Sequence, residues 1–128
     1  SDKPEFLVLL KKESEQSYAV SVKIGTDDID MFIKEGRKAV KVNEQEVAMA
    51  NLPYVKDSIK IELKDDKLVL YAPRSGISEI FFNNQEVTVH VAGTMRNKVC
   101  GLCGQGNGDD QSDYRTPKGR VIDSPVSF

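Results

Sequence analysis

The sequence predicts an all-β fold, an antiparallel β-sandwich closed by a C-terminal loop segment that is rich in Gly and Asp and contains both cysteines. Two observations support this prediction. Apolar and polar residues alternate along the chain, and strand-like runs recur about every ten residues with no convincing helical stretch between them. Because each run has one apolar and one polar face, the pattern is typical of antiparallel sheets.

The clearest strand lies at 58–64, where Ile59, Ile61 and Leu63 share one face and charged residues occupy the other. Asp65-Asp66 follows this run and predicts a tight hairpin turn, because Asp tolerates the positive φ that such turns require. Further strand-like runs lie at 5–10, 18–24, 29–33, 40–42, 67–71, 80–82 and 87–91, and Asn83-Asn84 predicts another turn.

The composition excludes several classes of function. The chain has 128 residues, and this length predicts one domain. Its formal net charge is −2. Its 18 lysines and arginines are scattered, so they form no basic face for phosphates, and no nucleic-acid partner is expected. No run approaches the roughly 20 apolar residues of a membrane-spanning helix, so no membrane span is expected either.

The composition changes near Gly93. We expect residues 1–93 to supply the strands of the sandwich and residues 94–128 to form a closing segment rich in Gly and Asp. Three things could hold such a loop: a disulfide, a cation, or packing of residues 121–128 against the sandwich. The chain begins with Ser and opens directly into a strand-like run, which predicts a fragment or a processed product.

Cys100-Gly101-Leu102-Cys103 is the most specific local motif. A thioredoxin-like redox pair would need a helix N-terminus, which the pattern does not supply. A zinc site would need four ligands, and two cysteines with one histidine are too few. A structural disulfide is therefore the favoured interpretation, and Cys100 and Cys103 either pair with each other or reach cysteines on another peptide.

His90 is the single histidine, and it alternates with Val89 and Val91. We expect its ring to point away from the valine face, toward solvent. No nucleophile-elbow motif is present, and the carboxylates lie in ordinary polar surroundings. The sequence therefore predicts a protein that is not an enzyme.

The loop after the cysteines offers oxygen donors of the kind that calcium accepts. They include Gln105, Asn107, Asp109 and Asp113. The spacing of an EF-hand is absent, and Asp, Asn and Gly are also ordinary turn residues. A calcium site and a plain turn both remain open.

The closing segment resembles that of a von Willebrand factor type D domain, through 99–104 (VCGLCG), 105–109 (QGNGD) and 112–117 (SDYRTP). Further segments are similar to the type D domain of vertebrate vitellogenins, the egg-yolk precursors, above all those of fish. These segments are 5–16, 22–25, 28–31, 114–120 and 126–128. The resemblance covers nearly the whole chain.

The resemblance implies an all-β domain of a secreted precursor that is delivered to the oocyte and cut into yolk proteins, one of which is the β′-component in fish. It also implies that the N-terminal strand of the family, with cysteines that pair with Cys100 and Cys103, is absent. Related domains bind calcium in this loop. Here Gln105 and Gly106 depart from the family pattern and the upstream Asp is missing, so weak affinity is expected.

The expected function is a non-enzymatic structural and storage module that serves as a nutrient reservoir for the embryo. The alternative is an assembly module that uses the Cys100–Cys103 loop for disulfide-linked association, and disulfide exchange by this motif ranks lowest. The expected partners are other segments of the vitellogenin precursor, a disulfide-linked peptide or a second copy of the chain. The expected location is extracellular, and egg yolk after uptake.

Overall fold

The computed structural model describes residues 5–14, 17–84, 86–91, 97–99, 112–115 and 118–124. These residues form strands and two short 3-10 helices, Met49–Asn51 and Pro73–Ser75, and they contain no α-helix. The strands are β1 (Phe6–Ser14), β2 (Ser17–Ile24), β3 (Asp27–Lys34), β4 (Arg37–Val42), β5 (Gln45–Val47), β6 (Tyr54–Lys56), β7 (Ile59–Lys64), β8 (Lys67–Ala72), β9 (Ile77–Phe82), β10 (Val87–Val91), β11 (Asn97–Val99), β12 (Ser112–Arg115) and β13 (Gly119–Ser124). The predicted all-β class is confirmed.

The strands form two sheets. Sheet A has the order β12-β13-β1-β2-β3-β4-β5, and sheet B has the order β11-β10-β9-β8-β7-β6. Neighbouring strands pair antiparallel, except that β13 pairs parallel with β1. The chain passes from sheet A to sheet B between the edge strands β5 and β6. It passes back between the edge strands β11 and β12.

Tight hairpin turns connect several of these strands. Asp65 and Asp66 have φ angles of 53° and 65°, and Asn43 and Glu44 have φ angles of 53° and 71°. Positive φ at both central residues matches the right-handed twist of the flanking strands. The predicted turn at Asp65-Asp66 is therefore confirmed.

The inward-facing side chains of both sheets pack into one hydrophobic core. Its largest members with no or almost no exposed surface include Phe6, Leu10, Ile29, Met31, Ile61, Leu68, Leu70, Ile77, Ile80 and Phe82. Burial of one such side chain contributes about 1.5–3 kcal/mol. Because the core draws on both sheets, they form the predicted sandwich. Leu63 continues the inward series of β7 but is 46% exposed, since it lies beside the β7–β8 turn.

Strand β13 of the closing segment packs against the sandwich, and packing of residues 121–128 was one of the three expected ways of holding this segment. Strand β13 places Val121 in the core with no exposed surface. The backbone N–H of Glu5 donates to the carbonyl of Lys118 at 2.6 Å. Gly119 lies opposite Phe6, and a Cβ atom on Gly119 would clash with the carbonyl oxygen and the ring of Phe6. A glycine is therefore required where β13 joins β1.

Replacement of this glycine tests the β1–β13 contact. We expect Gly119→Ala to destabilise the fold by about 3 kcal/mol, because the added methyl meets backbone that has no space to move. Gly25→Ala is the matched control: its Cβ meets nothing within 4 Å, and only the φ of +61° opposes it, for about 1 kcal/mol. Urea unfolding measures both, and equal effects would contradict the close contact.

Candidate functional site

Most of the predicted site residues lie outside the residues that the structure describes. This holds for Cys100, Cys103, Gln105, Asn107 and Asp109. Asp113 lies in β12, where its backbone pairs with Ile122 of β13. The disulfide and calcium hypotheses therefore stay predictions. Strand β11 ends at Val99, so Cys100 directly follows an edge strand of sheet B, and residues 100–111 connect that edge to β12 of sheet A.

A polar cluster, which we call the latch, joins the two sheets at one end of the sandwich. Asp27 Oδ1 accepts hydrogen bonds from Asn43 Nδ2 at 2.9 Å and from Lys56 Nζ at 2.8 Å. Asn43 Oδ1 accepts the backbone N–H of Asp28 at 2.8 Å. Since Asp27 and Asn43 belong to sheet A and its turns, whereas Lys56 belongs to β6, the latch connects one sheet to the other.

The latch shifts the titration of its charged members. Hydrogen bonds from Lys56 and then Asn43 hold the pKa of Asp27 below its ordinary value of 3.8. The same contact raises the pKa of Lys56. The ionised Asp27 therefore contributes stability that is fully present above pH 3.8 and is lost as the pH falls through the lowered pKa of the folded state.

Asn43 allows the latch to be tested without changing a charge. Asn43→Gly removes both side-chain hydrogen bonds but keeps a residue that tolerates positive φ, so we expect a loss of about 1 kcal/mol. Asn43→Ala adds backbone strain at a φ of 53°, for about 2 kcal/mol in total. Chemical unfolding of the two variants separates these contributions. An Asn43→Gly protein as stable as the wild type would show that the two Asn43 hydrogen bonds contribute nothing.

The outer face of sheet B carries a second polar group of side chains. Tyr71 Oη donates a hydrogen bond to Glu62 Oε2 at 2.7 Å. This bond, with burial and the charge of Glu62, raises the pKa of Tyr71 to about 12. The same bond lowers the pKa of Glu62. Lys60 Nζ lies 3.6 Å from Glu62 Oε1 and 5.8 Å from the centre of the Tyr71 ring. Beneath these side chains Val69 has no exposed surface although it faces outward.

His90 lies on the same outer face, and its predicted orientation is confirmed. The side chains of Val89 and Val91 lie on the other face of the strand and are buried in the core. The ring is half-buried: its Nδ1 lies 3.0 Å from Glu79 Oε2, and its edge-to-face contact with Phe81 has a centroid distance of 5.8 Å. Within the described part of the chain, His90 hydrogen-bonds to this carboxylate and not to a hydroxyl group. The geometry is that of a paired surface residue, not of a catalytic triad.

Removing the charge of Glu62 tests the origin of the Tyr71 shift. We expect Glu62→Gln to return the titration of Tyr71 toward its ordinary pKa of 10.0, because the phenol then loses its charged acceptor. Tyrosinate absorbance reports this change among the 4 tyrosines. Tyr71→Phe is the control, since it should abolish the late-titrating signal. A late signal that persists in Glu62→Gln would contradict the assignment.

The raised pKa of Tyr71 also makes the stability of the fold depend on pH. Because the pKa of Tyr71 is raised in the folded state, its contribution is fully present below pH 10.0 and is lost as the pH rises toward 12.

Sequence reasoning did not single out the latch or the Tyr71–Glu62 pair. The dipeptide Asn43-Glu44 between two strand-like runs is a turn signal that could have located Asn43. Nothing in the sequence marks Lys56 as the partner of Asp27, since 29 positions separate them.

The residues that the structure describes contain no group of three or more His, Cys, Asp or Glu side chains placed to hold a metal ion. No helix formed by these residues has the length and apolar character needed to cross a membrane.

Comparison with known families agrees with the resemblance that the motif in the closing segment predicts. The family model of the von Willebrand factor type D domain matches residues 1–120. The chain belongs to the von Willebrand factor type D domain family. The predicted resemblance is thereby confirmed for nearly the whole length of this type D domain.

The most informative relatives of this type D domain are vitellogenins of fish. It is 43% identical to the vitellogenin of Oncorhynchus mykiss over 97% of its own length. It is 39% identical to vitellogenin-1 of Fundulus heteroclitus over 100%, and 34% identical to a vitellogenin of Takifugu pardalis over 95%. The chain spans 8% of the first two relatives and 54% of the third. No solved structure matches it.

Proposed function

We propose that this type D domain is a non-enzymatic structural and storage module of a secreted vitellogenin precursor, and a nutrient reservoir for the embryo. The observation that carries the proposal is the similarity to fish vitellogenins over 95–100% of the chain. The fold is consistent with it, because the polar groups described above pair with one another in ways that stabilise the sandwich. Residues 1–128 then form one domain, with residues 94–128 as its closing segment.

The proposed location follows from the same similarity. The chain is secreted as part of the precursor and reaches egg yolk after uptake by the oocyte. Its proposed partners are other segments of the precursor, including a peptide linked by disulfide to Cys100 or Cys103. The alternative, an assembly module based on the Cys100–Cys103 loop, rests on the motif alone.

The storage proposal predicts where the chain is found and when it disappears. We expect targeted mass spectrometry of the tryptic peptide 24–34 to detect the chain in the yolk of fertilised eggs. Its amount should match that of peptides from the rest of the precursor. It should fall as the embryo grows, while an egg-shell protein, as control, stays constant. Absence from yolk, or a constant amount until hatching, would contradict storage.

The intact mass of the same yolk material, unreduced and then reduced with alkylation at each step, separates the two roles of the cysteines. Release of a second, different peptide on reduction supports attachment to another precursor segment. Release of a second copy of this chain supports the assembly module instead. If reduction adds only two alkyl groups, and no second peptide is released, the disulfide lies within the loop. That result argues against assembly.

A further inference from the structure

The outer face of sheet A contains a depression of about 230 Å³ lined by Lys11, Ala19, Val20, Ser21, Asp30, Phe32 and Lys41. The depression exists because the outward side chains of β2 are smaller than those of its neighbours. Ala19 and Ser21 are the outward residues of this strand at the centre of the depression, and both are small. The outward residues beside them, Lys11 of β1 and Phe32 of β3, are long, so they form walls around a floor of small side chains.

The charges around the depression are not balanced. Lys11 and Lys41 are both half-buried, and among the described residues neither has a carboxylate within ion-pairing distance. Lys41 Nζ lies 5.7 Å from the centre of the Phe32 ring. The single carboxylate of the lining, Asp30, accepts a hydrogen bond from the Ser21 hydroxyl at 2.6 Å. The lining therefore contains two lysines and one carboxylate, so its formal charge is positive.

The walls add an apolar component to this charge. Phe32 and Ala19 line the same depression as Lys11 and Lys41. An oxyanion beside the lysines gains charge-assisted hydrogen bonds, and a ring or short hydrocarbon attached to it removes apolar surface from water against Phe32. A volume below that of ordinary drug-sized pockets restricts the ligand to a small molecule or group.

We propose that this depression binds a small amphiphilic anion, namely a carboxylate or phosphate monoester that carries an aromatic or short hydrocarbon group. Lys11 and Lys41 bind the oxyanion, and Phe32 and Ala19 contact the apolar part. Asp30 opposes the anion by like-charge repulsion and limits the affinity. This site goes beyond the storage function and does not depend on it.

Nuclear magnetic resonance titration of the full chain with benzoate and phenyl phosphate tests the site. We expect saturable shifts of the backbone amides around Ala19, Phe32 and Lys41, with dissociation constants in the millimolar range. Benzyl alcohol, the uncharged analogue, should cause no saturable shift. The relative affinity of benzoate and phenyl phosphate identifies whether a carboxylate or a phosphate is the preferred head group, and binding of either supports the proposal.

Variants separate the parts of the site. Lys41→Gln should raise the dissociation constant about tenfold, the effect of one charge-assisted hydrogen bond. Lys64→Gln on β7 of sheet B is the matched control and should leave it unchanged. Asp30→Asn should lower the dissociation constant about threefold by removing the repulsion. Ala19→Leu should abolish binding by filling the depression, with an otherwise native spectrum as the check on folding.

Several results would overturn the proposal. They are the absence of saturable shifts with either anion, equal binding of benzyl alcohol, and shifts that Lys41→Gln and Ala19→Leu leave unchanged. Weaker anion binding by Asp30→Asn would also overturn it. The Asp30 carboxylate would then favour binding, whereas the proposal requires that it repel the anion. None of these outcomes bears on the amount of the chain in yolk, so failure of this site is distinguishable from failure of the storage proposal.

Discussion

One apolar layer shared by two sheets determines the rest of this structure. Val8 of β1, Val121 of β13 and Leu70 of β8 have no exposed surface and belong to the same core. Because side chains alternate between faces, a register slip of one residue would move the apolar set of a strand into water. The pairing of each strand is therefore specified by the need to fill this layer, and only the outer faces are left for polar side chains.

The two sheets must also be held together at their edges. The latch among Asp27, Asn43 and Lys56 joins sheet A to the edge strand β6. Within sheet A, the parallel pairing of β13 with β1 adds the last strand of the chain to the other half of the sheet. Strands β5 and β6 have three residues each. Short edge strands offer few free backbone groups to another sheet, which limits edge-to-edge aggregation. This property suits a protein that is proposed to accumulate in yolk.

The parts of the fold that follow from local pattern were predictable from the sequence. The alternation at Ile59 and Ile61 identified an inward face, and Asp65-Asp66 identified a turn, because both depend on residues close in the chain. The parallel pairing of β13 with β1 was not predictable, since it joins the two ends of the chain and parallel neighbours carry no turn signal. Val69 shows a further limit. It lies on the outward face between Glu62 of β7 and Phe81 of β9, yet it is fully buried.

The same limit applies to the candidate sites. The motif around Cys100 and Cys103 identified the family, but it does not state whether these cysteines pair with each other or with cysteines on another peptide. The depression on sheet A had no sequence signature, because its walls and floor come from four strands that meet only in the folded sheet.

Carboxylates on both outer faces pair within the protein. On sheet B, Glu62 pairs with Tyr71 and Lys60, and Glu79 pairs with His90. On sheet A, Asp28 pairs with Lys23, but Lys11 and Lys41 line a depression whose one carboxylate is already hydrogen-bonded to Ser21. Internal pairing stabilises the fold and leaves little charge for a ligand, whereas unpaired charge next to an apolar wall favours binding. A storage role requires only the first arrangement. The second is an additional feature, and its ligand is determined by the balance between two lysines and Asp30.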